Sequence, residues 1–127
     1  MTRFLIVAAG GAVGAVARYG LSRLMPPGAW PWATLTANVA GGLLMGLLVG
    51  WLALRSGLHT EGVRLFAAVG VLGGFTTFSA FSLETALMIE RRQFALAAGY
   101  SAASVVLSIA ALFIGLMVAR RAFGAAL

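Results

Sequence analysis

Residues 70–82 read GVLGGFTTFSAFS and lie within residues 65–83, a run without charged side chains that is long enough to cross a bilayer as a helix. Gly73 and Gly74, followed by Thr76 and Thr77, disfavour an uninterrupted helix, because glycine and β-branched residues prefer other backbone conformations. Unpaired backbone groups cannot face lipid, so a non-helical segment at membrane depth lies beside protein, water or an ion. We therefore predict a helix broken near the membrane midplane, which frees either carbonyl oxygens for a cation or amide hydrogens for an anion. The alternative is that the two glycines only allow another helix to pack closely.

The composition is that of a small integral membrane protein. Of the 127 residues, 61% are hydrophobic and 9% are charged, and the mean hydropathy of +1.01 excludes an ordinary soluble domain. The net charge of +6 comes from arginines at the ends of apolar runs, which predicts contact with membrane lipids and not with nucleic acid. The chain has no cysteine, which excludes disulfides and thiolate metal sites. No nucleophile–base pair, metal-ligand cluster or paired carboxylates lie within reach, so no enzyme activity is predicted.

The hydrophobic runs predict an all-α membrane protein with one domain, residues 1–127. Its four transmembrane helices are expected at about residues 4–24, 33–54, 63–89 and 94–119, with a short polar loop at residues 55–64. The first run has an alternative interpretation as a cleaved signal peptide, because Arg3 precedes it and residues 15–17 resemble a cleavage site.

Glycines recur at four-residue spacing and predict close contacts between helices. Gly10 and Gly14 lie on the first helix, and Gly42, Gly46 and Gly50 lie on the second. A chain of this length has too few residues to enclose a wide pore alone, so we expect an oligomer.

Three strongly polar side chains fall inside the predicted helices. Asn38 needs hydrogen-bond partners, which are supplied either by another helix or by a solute that passes it. Arg18 either extends its side chain to the interface or has a function in the membrane. Glu84 reaches a depth similar to that of Arg18, so an ion pair between the two is predicted.

Two further groups of side chains share a helix face. Phe78 and Phe81 are three residues apart, a spacing that is more often used for core packing than for a binding site. Tyr100, Ser104 and Ser108 recur at i, i+4 and i+8 of the fourth helix. Their hydroxyls either line a path for a polar solute or bond to carbonyls of their own helix.

The arginines are divided almost equally between the two sides of the membrane. Five lie on the side of the N-terminus and four on the other, so the positive-inside rule indicates no preferred orientation. We therefore predict dual topology, in which the chain can pair with its own inverted copy. The first group is Arg3, Arg55, Arg64, Arg120 and Arg121, and the second is Arg18, Arg23, Arg91 and Arg92.

Three motifs resemble those of the small fluoride channels of the CrcB/Fluc type. The first is GGAVGA at residues 10–15, followed by Arg18 and Tyr19. The second is TL at residues 34–35 with Asn38 and Gly41, and the third is GGFTTFSAF at residues 73–81, which is highly specific. The resemblance covers essentially the whole chain. It departs from the family at position 80, where this chain has alanine and the family often has a hydroxyl residue.

The resemblance implies an antiparallel homodimer in the bacterial inner membrane, with two passive pathways that export fluoride and exclude chloride. It implies a structural sodium ion on the dimer axis, held by the backbone carbonyls of Gly73 and Thr76, and a vestibule near Arg18 and Glu84. Positively polarised ring edges, together with amide and hydroxyl donors, can replace the water around an anion. The side chains that match pathway positions of the family are Asn38, Phe78, Ser79, Phe81, Tyr100, Ser104 and Ser108.

Two other classes of function compete with this interpretation. A small multidrug transporter of dual topology exchanges protons for organic cations and needs a membrane-embedded carboxylate, for which Glu84 is the only candidate. A non-transporting assembly subunit would use its glycines for packing alone. The second alternative does not explain why Asn38 occurs together with the hydroxyl stripe.

Overall fold

The chain forms an all-helical, multi-pass membrane protein. The computed structural model describes residues 1–55 and 58–124, and within these ranges it contains helices and turns but no strand. Four segments are long and apolar enough to cross a membrane. They are α1 (Thr2–Leu24), α2 (Trp32–Ala53), the third span (Thr60–Glu90) and α6 (Phe94–Gly124).

The third span differs from the other three because its helical path is not uniform. Its middle part is π-helical, so the amide of Gly73 donates to the carbonyl of Ala68, five residues earlier. Nothing in the hydrophobic pattern of this segment predicted a π-helix. In chain order, the pieces are α3 (Leu58–Val63), the π-segment (Arg64–Leu72), α4 (Gly73–Phe75) and α5 (Phe78–Glu90).

Two boundaries differ from those predicted. Residues 58–63 are helical where a polar loop was expected. Arg64 and Glu61 form an ion pair at 3.1 Å, and their separation of three residues along the chain is one at which side chains meet on a helix. Residues 56 and 57 of the predicted loop lie outside the described residues. α6 continues to Gly124, beyond the predicted end at residue 119.

Local sequence accounts for the ends of the helices. Met25 has extended backbone and precedes two prolines, which cannot continue α1. α5 ends in a tight turn in which Arg92 has a φ of 60° and the amide of Gln93 donates to the carbonyl of Met88 at 2.8 Å. This turn places α6 immediately after α5.

The helices pack in two pairs, and the glycines whose spacing predicted close helix contacts lie at both interfaces. α2 packs against α6, and a Cβ added to Gly46 would overlap the backbone of Leu112 in α6. α1 packs against the third span, and a Cβ added to Gly14 would overlap the carbonyl of Val71 in the π-segment. Close backbone approach through glycine is how membrane helices gain van der Waals contact.

We expect Gly115→Ala in α6 to lower the melting temperature of the protein in detergent, with a loss of about 1–3 kcal/mol of stability from overpacking. The added methyl group would meet the backbone of Leu43 and Leu47 in α2. Gly99→Ala on the same helix is the control, because no atom lies within 4 Å of its added Cβ. Equal melting temperatures for the two variants would contradict this account of the packing.

A small core joins α5 to the α2–α6 pair. Leu35, Met88, Ala97 and Tyr100 are buried together, and Phe81 packs against them. Tyr100 is fully buried. This cluster fixes the start of α5 beside α2 and α6, and so positions the polar groups described next.

Candidate functional site

The helical path of the third span is interrupted at Thr76 and Thr77. Both residues have extended backbone, with φ and ψ of −81° and 155° at Thr76 and −151° and 121° at Thr77. The amide and hydroxyl of Thr76 both donate to the carbonyl of Leu72, at 3.0 and 2.9 Å. The Thr77 hydroxyl accepts from the amide of Ala80 at 3.1 Å and so caps α5. We call residues 76–77 the interruption.

Asn38 of α2 holds the interruption by two hydrogen bonds. Its Nδ2 donates to the Thr77 carbonyl at 3.0 Å, and its Oδ1 accepts from the Thr77 amide at 2.8 Å. The side-chain amide therefore pairs with extended backbone as a neighbouring strand would. One N–H of Asn38 Nδ2 is left over, because the group carries two hydrogens.

Arg18 of α1 contacts Gly74, two residues before the interruption. Its Nε donates to the Gly74 carbonyl at 3.3 Å, and the contact is partly buried. The predicted ion pair with Glu84 is not formed within the chain. Among the described residues the structure has one salt bridge, between Arg64 and Glu61.

The carbonyls of Gly73 and Thr76 have no hydrogen-bond donor among the described residues. In a continuous helix the Gly73 carbonyl would accept from the amide of Thr77, but that amide donates to Asn38 instead. Gly73 is also exposed at the surface of the single chain. Unpaired carbonyl oxygens of this kind are the ligands that a small hard cation prefers, so the donor set fits the sodium ion that the resemblance implies.

A mostly apolar groove of about 450 Å³ runs beside the interruption, between α2, α5 and α6. The hydroxyls of Ser104 and Ser108 are buried and have no hydrogen-bond partner among the described residues. A buried unpaired hydroxyl is costly, which makes these two groups available to a polar occupant of the groove. Five of the seven predicted pathway residues line this groove: Asn38, Phe78, Phe81, Ser104 and Ser108.

The other two predicted pathway residues lie elsewhere. Tyr100 is buried in the core, and its hydroxyl donates to Glu84 Oε2 at 3.3 Å. Ser79 is exposed, and its hydroxyl lies 3.3 Å from that of Thr77. Thr34 donates to the second oxygen of Glu84 at 2.5 Å, so both oxygens of this carboxylate accept hydrogen bonds within the chain.

Aromatic rings continue from the groove toward the N-terminus of α2. Phe78 and Phe81 have ring centroids 5.6 Å apart, and Phe81 and Tyr100 are 5.3 Å apart. Trp30 meets Tyr100 edge to face at 5.5 Å. Phe78 is 78% exposed, so the ring nearest the interruption is open to a partner or a solute.

The sequence analysis gave no site role to Trp30 or to Thr34, although Thr34 belongs to the second motif. Thr34 lies four residues before Asn38 and so on the same face of α2, a signal that was available in the sequence. The Arg18–Gly74 contact had no comparable signal, because its two residues are 56 positions apart.

Comparison with known proteins identifies the family of this chain. The family described as "CrcB-like protein, Camphor Resistance (CrcB)" matches residues 5–116. The chain belongs to the CrcB family.

The chain is 60% identical over 126 residues to a protein of Caulobacter sp. (strain K31), with 97% of this chain and 98% of the relative covered. A protein of Caulobacter vibrioides (strain NA1000 / CB15N) is 61% identical over 127 residues, with 97% and 99% covered. A protein of Phenylobacterium zucineum (strain HLK1) is 58% identical over 127 residues, with 97% and 99% covered. All three CrcB relatives are named "Fluoride-specific ion channel FluC".

Replacing Asn38 by leucine is expected to lower stability by about 1–3 kcal/mol, because it leaves the Thr77 amide and carbonyl unpaired at membrane depth. The measurement is the melting temperature in detergent. Ser22→Ala serves as a control, since among the described residues that exposed hydroxyl bonds only to the nearby Tyr19 carbonyl. An Asn38→Leu protein as stable as the control would mean that the two bonds to Thr77 contribute nothing.

Proposed function

We propose that this protein is a passive, fluoride-selective ion channel that exports fluoride from the cytoplasm across the bacterial inner membrane. The observation that carries the proposal is its 58–61% identity, over nearly the whole chain, to proteins named fluoride-specific ion channels. An ion channel transports its substrate and catalyses no reaction on it. The groove geometry supports the proposal, because its donors are neutral and suit a small anion.

The groove would replace the water around fluoride by several kinds of donor. The remaining N–H of Asn38 and the hydroxyls of Ser104 and Ser108 can donate to an anion. The N-terminus of α5 begins at Phe78 and carries the positive end of the helix dipole. The edges of Phe78 and Phe81 add a weak positive field in an otherwise apolar wall.

We further propose that two copies pair antiparallel and give two fluoride pathways in contact with membrane lipids. The carbonyls of Gly73 and Thr76, one pair from each copy, would hold a structural sodium ion between them. A bound cation supplies a positive field that favours an anion nearby. The unpaired state of these carbonyls supports this assignment, since one chain alone offers only part of a cation shell.

The near-equal arginine distribution supports the proposal of dual topology. Single cysteines at the positions of Arg3 and Arg92 should each react with a membrane-impermeant maleimide from both sides of the membrane. The natural chain has no cysteine, so it provides the unlabelled control. If nearly all of the protein held one orientation, the antiparallel dimer would be wrong.

The competing function is a small dual-topology multidrug/proton antiporter. Glu84 would have to release and bind protons, but both of its oxygens already accept hydrogen bonds, from Thr34 and Tyr100. Fluoride efflux from liposomes should therefore persist in Glu84→Gln, and an imposed pH gradient should drive no uptake of an organic cation dye. Gradient-driven dye uptake that the substitution abolishes would favour the antiporter.

A further inference from the structure

The guanidinium of Arg18 makes its hydrogen bond inside the packed interface between α1 and the third span. Arg18 Nε donates to the carbonyl of Gly74, the residue after the proposed sodium ligand Gly73. A Cβ added to Gly74 would meet Gly11 and Ala15 of α1, so the backbones lie close together here. The contact therefore joins α1 directly to the last helical turn before the interruption.

The Gly74 carbonyl needs a donor because of the interruption. In a continuous helix it would accept from the amide of Phe78, four residues later. The extended backbone of Thr76 and Thr77 separates those two groups, and an unpaired carbonyl at membrane depth costs free energy. Arg18 Nε supplies the missing donor.

Side chains of α1 and α2 thus form hydrogen bonds with the backbone of Gly74 and Thr77, the residues that follow the two proposed ligands. Arg18 takes the carbonyl of Gly74 and Asn38 takes both backbone groups of Thr77. The carbonyls of Gly73 and Thr76 are left without a donor among the described residues, as is the carbonyl of Phe75 between them. Residues of α1 and α2, and not of the third span itself, therefore determine that the carbonyls of Gly74 and Thr77 are hydrogen-bonded.

We propose that Arg18 is a positioning residue whose Nε–H donor, and not its charge, holds the Gly74 carbonyl and so presents the Gly73 and Thr76 carbonyls to the cation. This inference rests on the proposed function for the identity of the cation. A positive charge near a cation site opposes the cation, so the useful property of Arg18 at this place is its hydrogen bond.

Three substitutions separate the donor from the charge. Arg18→Gln removes the charge but keeps an N–H at the same number of bonds from Cα as Arg Nε. Arg18→Lys keeps the charge but has a methylene group at that position, with its N–H donors one bond further from Cα, and Arg18→Met keeps neither charge nor donor. Matching changes at Arg23, an exposed residue in the last turn of α1, control for general loss of positive charge.

The first measurement is amide hydrogen exchange of peptides that cover residues 72–82, in purified wild-type protein and each variant. The amides of Thr76 and Thr77 are hydrogen-bonded to Leu72 and Asn38 and report on the interruption. Loss of the donor should speed their exchange about tenfold or more in Arg18→Met, and its displacement by one bond should speed their exchange in Arg18→Lys as well. Arg18→Gln and the Arg23 variants should exchange like wild type.

The second measurement is the sodium concentration that gives half-maximal fluoride efflux from liposomes. It should rise in Arg18→Met, rise further in Arg18→Lys, and stay equal or fall in Arg18→Gln. Fast exchange in Arg18→Gln, or slow exchange in both Arg18→Met and Arg18→Lys, would overturn the proposal. If Arg18→Met does not fold, the comparison of Arg18→Gln with Arg18→Lys tests the proposal. Absence of fluoride flux in wild type would refute the proposed function, while the exchange data would still test the role of Arg18.

Discussion

Replacing Phe78 by isoleucine is expected to leave a well-folded protein that conducts fluoride about tenfold or more slowly, equivalent to about 1.4 kcal/mol in the barrier. The ring is 78% exposed in the single chain and lines the groove, so little core packing is lost. An aliphatic side chain has no positively polarised edge to offer an anion. The quantity to measure is fluoride flux per amount of folded protein.

Two companion variants make this test specific. Phe75→Ile changes a ring just before the interruption that does not line the groove, and it should retain flux. Phe81→Ile should slow flux as well, but it should also cost stability, because Phe81 packs against the buried core. If the flux were unchanged in both Phe78→Ile and Phe81→Ile, the two rings would serve packing and would not contact fluoride.

Replacing sodium on both sides of the membrane by a large organic cation is expected to reduce fluoride flux about tenfold or more. The reason is that the free carbonyls of Gly73 and Thr76 would then lack their cation, and its favourable field for the anion would be lost. Fluoride efflux in sodium-free and sodium-containing buffers of equal ionic strength measures the effect.

Glu84→Gln controls for the membrane carboxylate, and its flux should depend on sodium as in wild type. Full activity of the wild-type protein without sodium would contradict a functional cation at these carbonyls. Electron density for ordinary helical bonding through residues 73–77, with no ion, would contradict the site itself.

The helices could be predicted because their cause is local in the sequence. Uncharged runs of sufficient length predict membrane spans, and glycines four residues apart predict close contacts, which α2 and α6 make at Gly46. The π-segment could not be predicted, because RLFAAVGVL also suits an ordinary apolar helix. The extended residues are the two threonines, while both glycines before them remain helical.

The sequence predicted most residues of the candidate site, but it did not predict which groups those residues contact. Tyr100, Ser104 and Ser108 were assigned to one stripe, but each step of four residues rotates about 40° around a helix of 3.6 residues per turn. The stripe therefore turns away from the groove at Tyr100, which is buried, and reaches it at the two serines. The bonds of Asn38 to Thr77 depend on the tertiary fold, since the two residues are 39 positions apart.

The central claim is tested most directly by efflux from liposomes that contain the purified protein and are loaded with fluoride and chloride together, with ion-selective electrodes following both anions. We predict rapid fluoride release while chloride is retained, with neither anion released from protein-free liposomes. Equal release of both anions, or retention of fluoride by liposomes that contain folded protein, would contradict the assignment as a fluoride-selective channel.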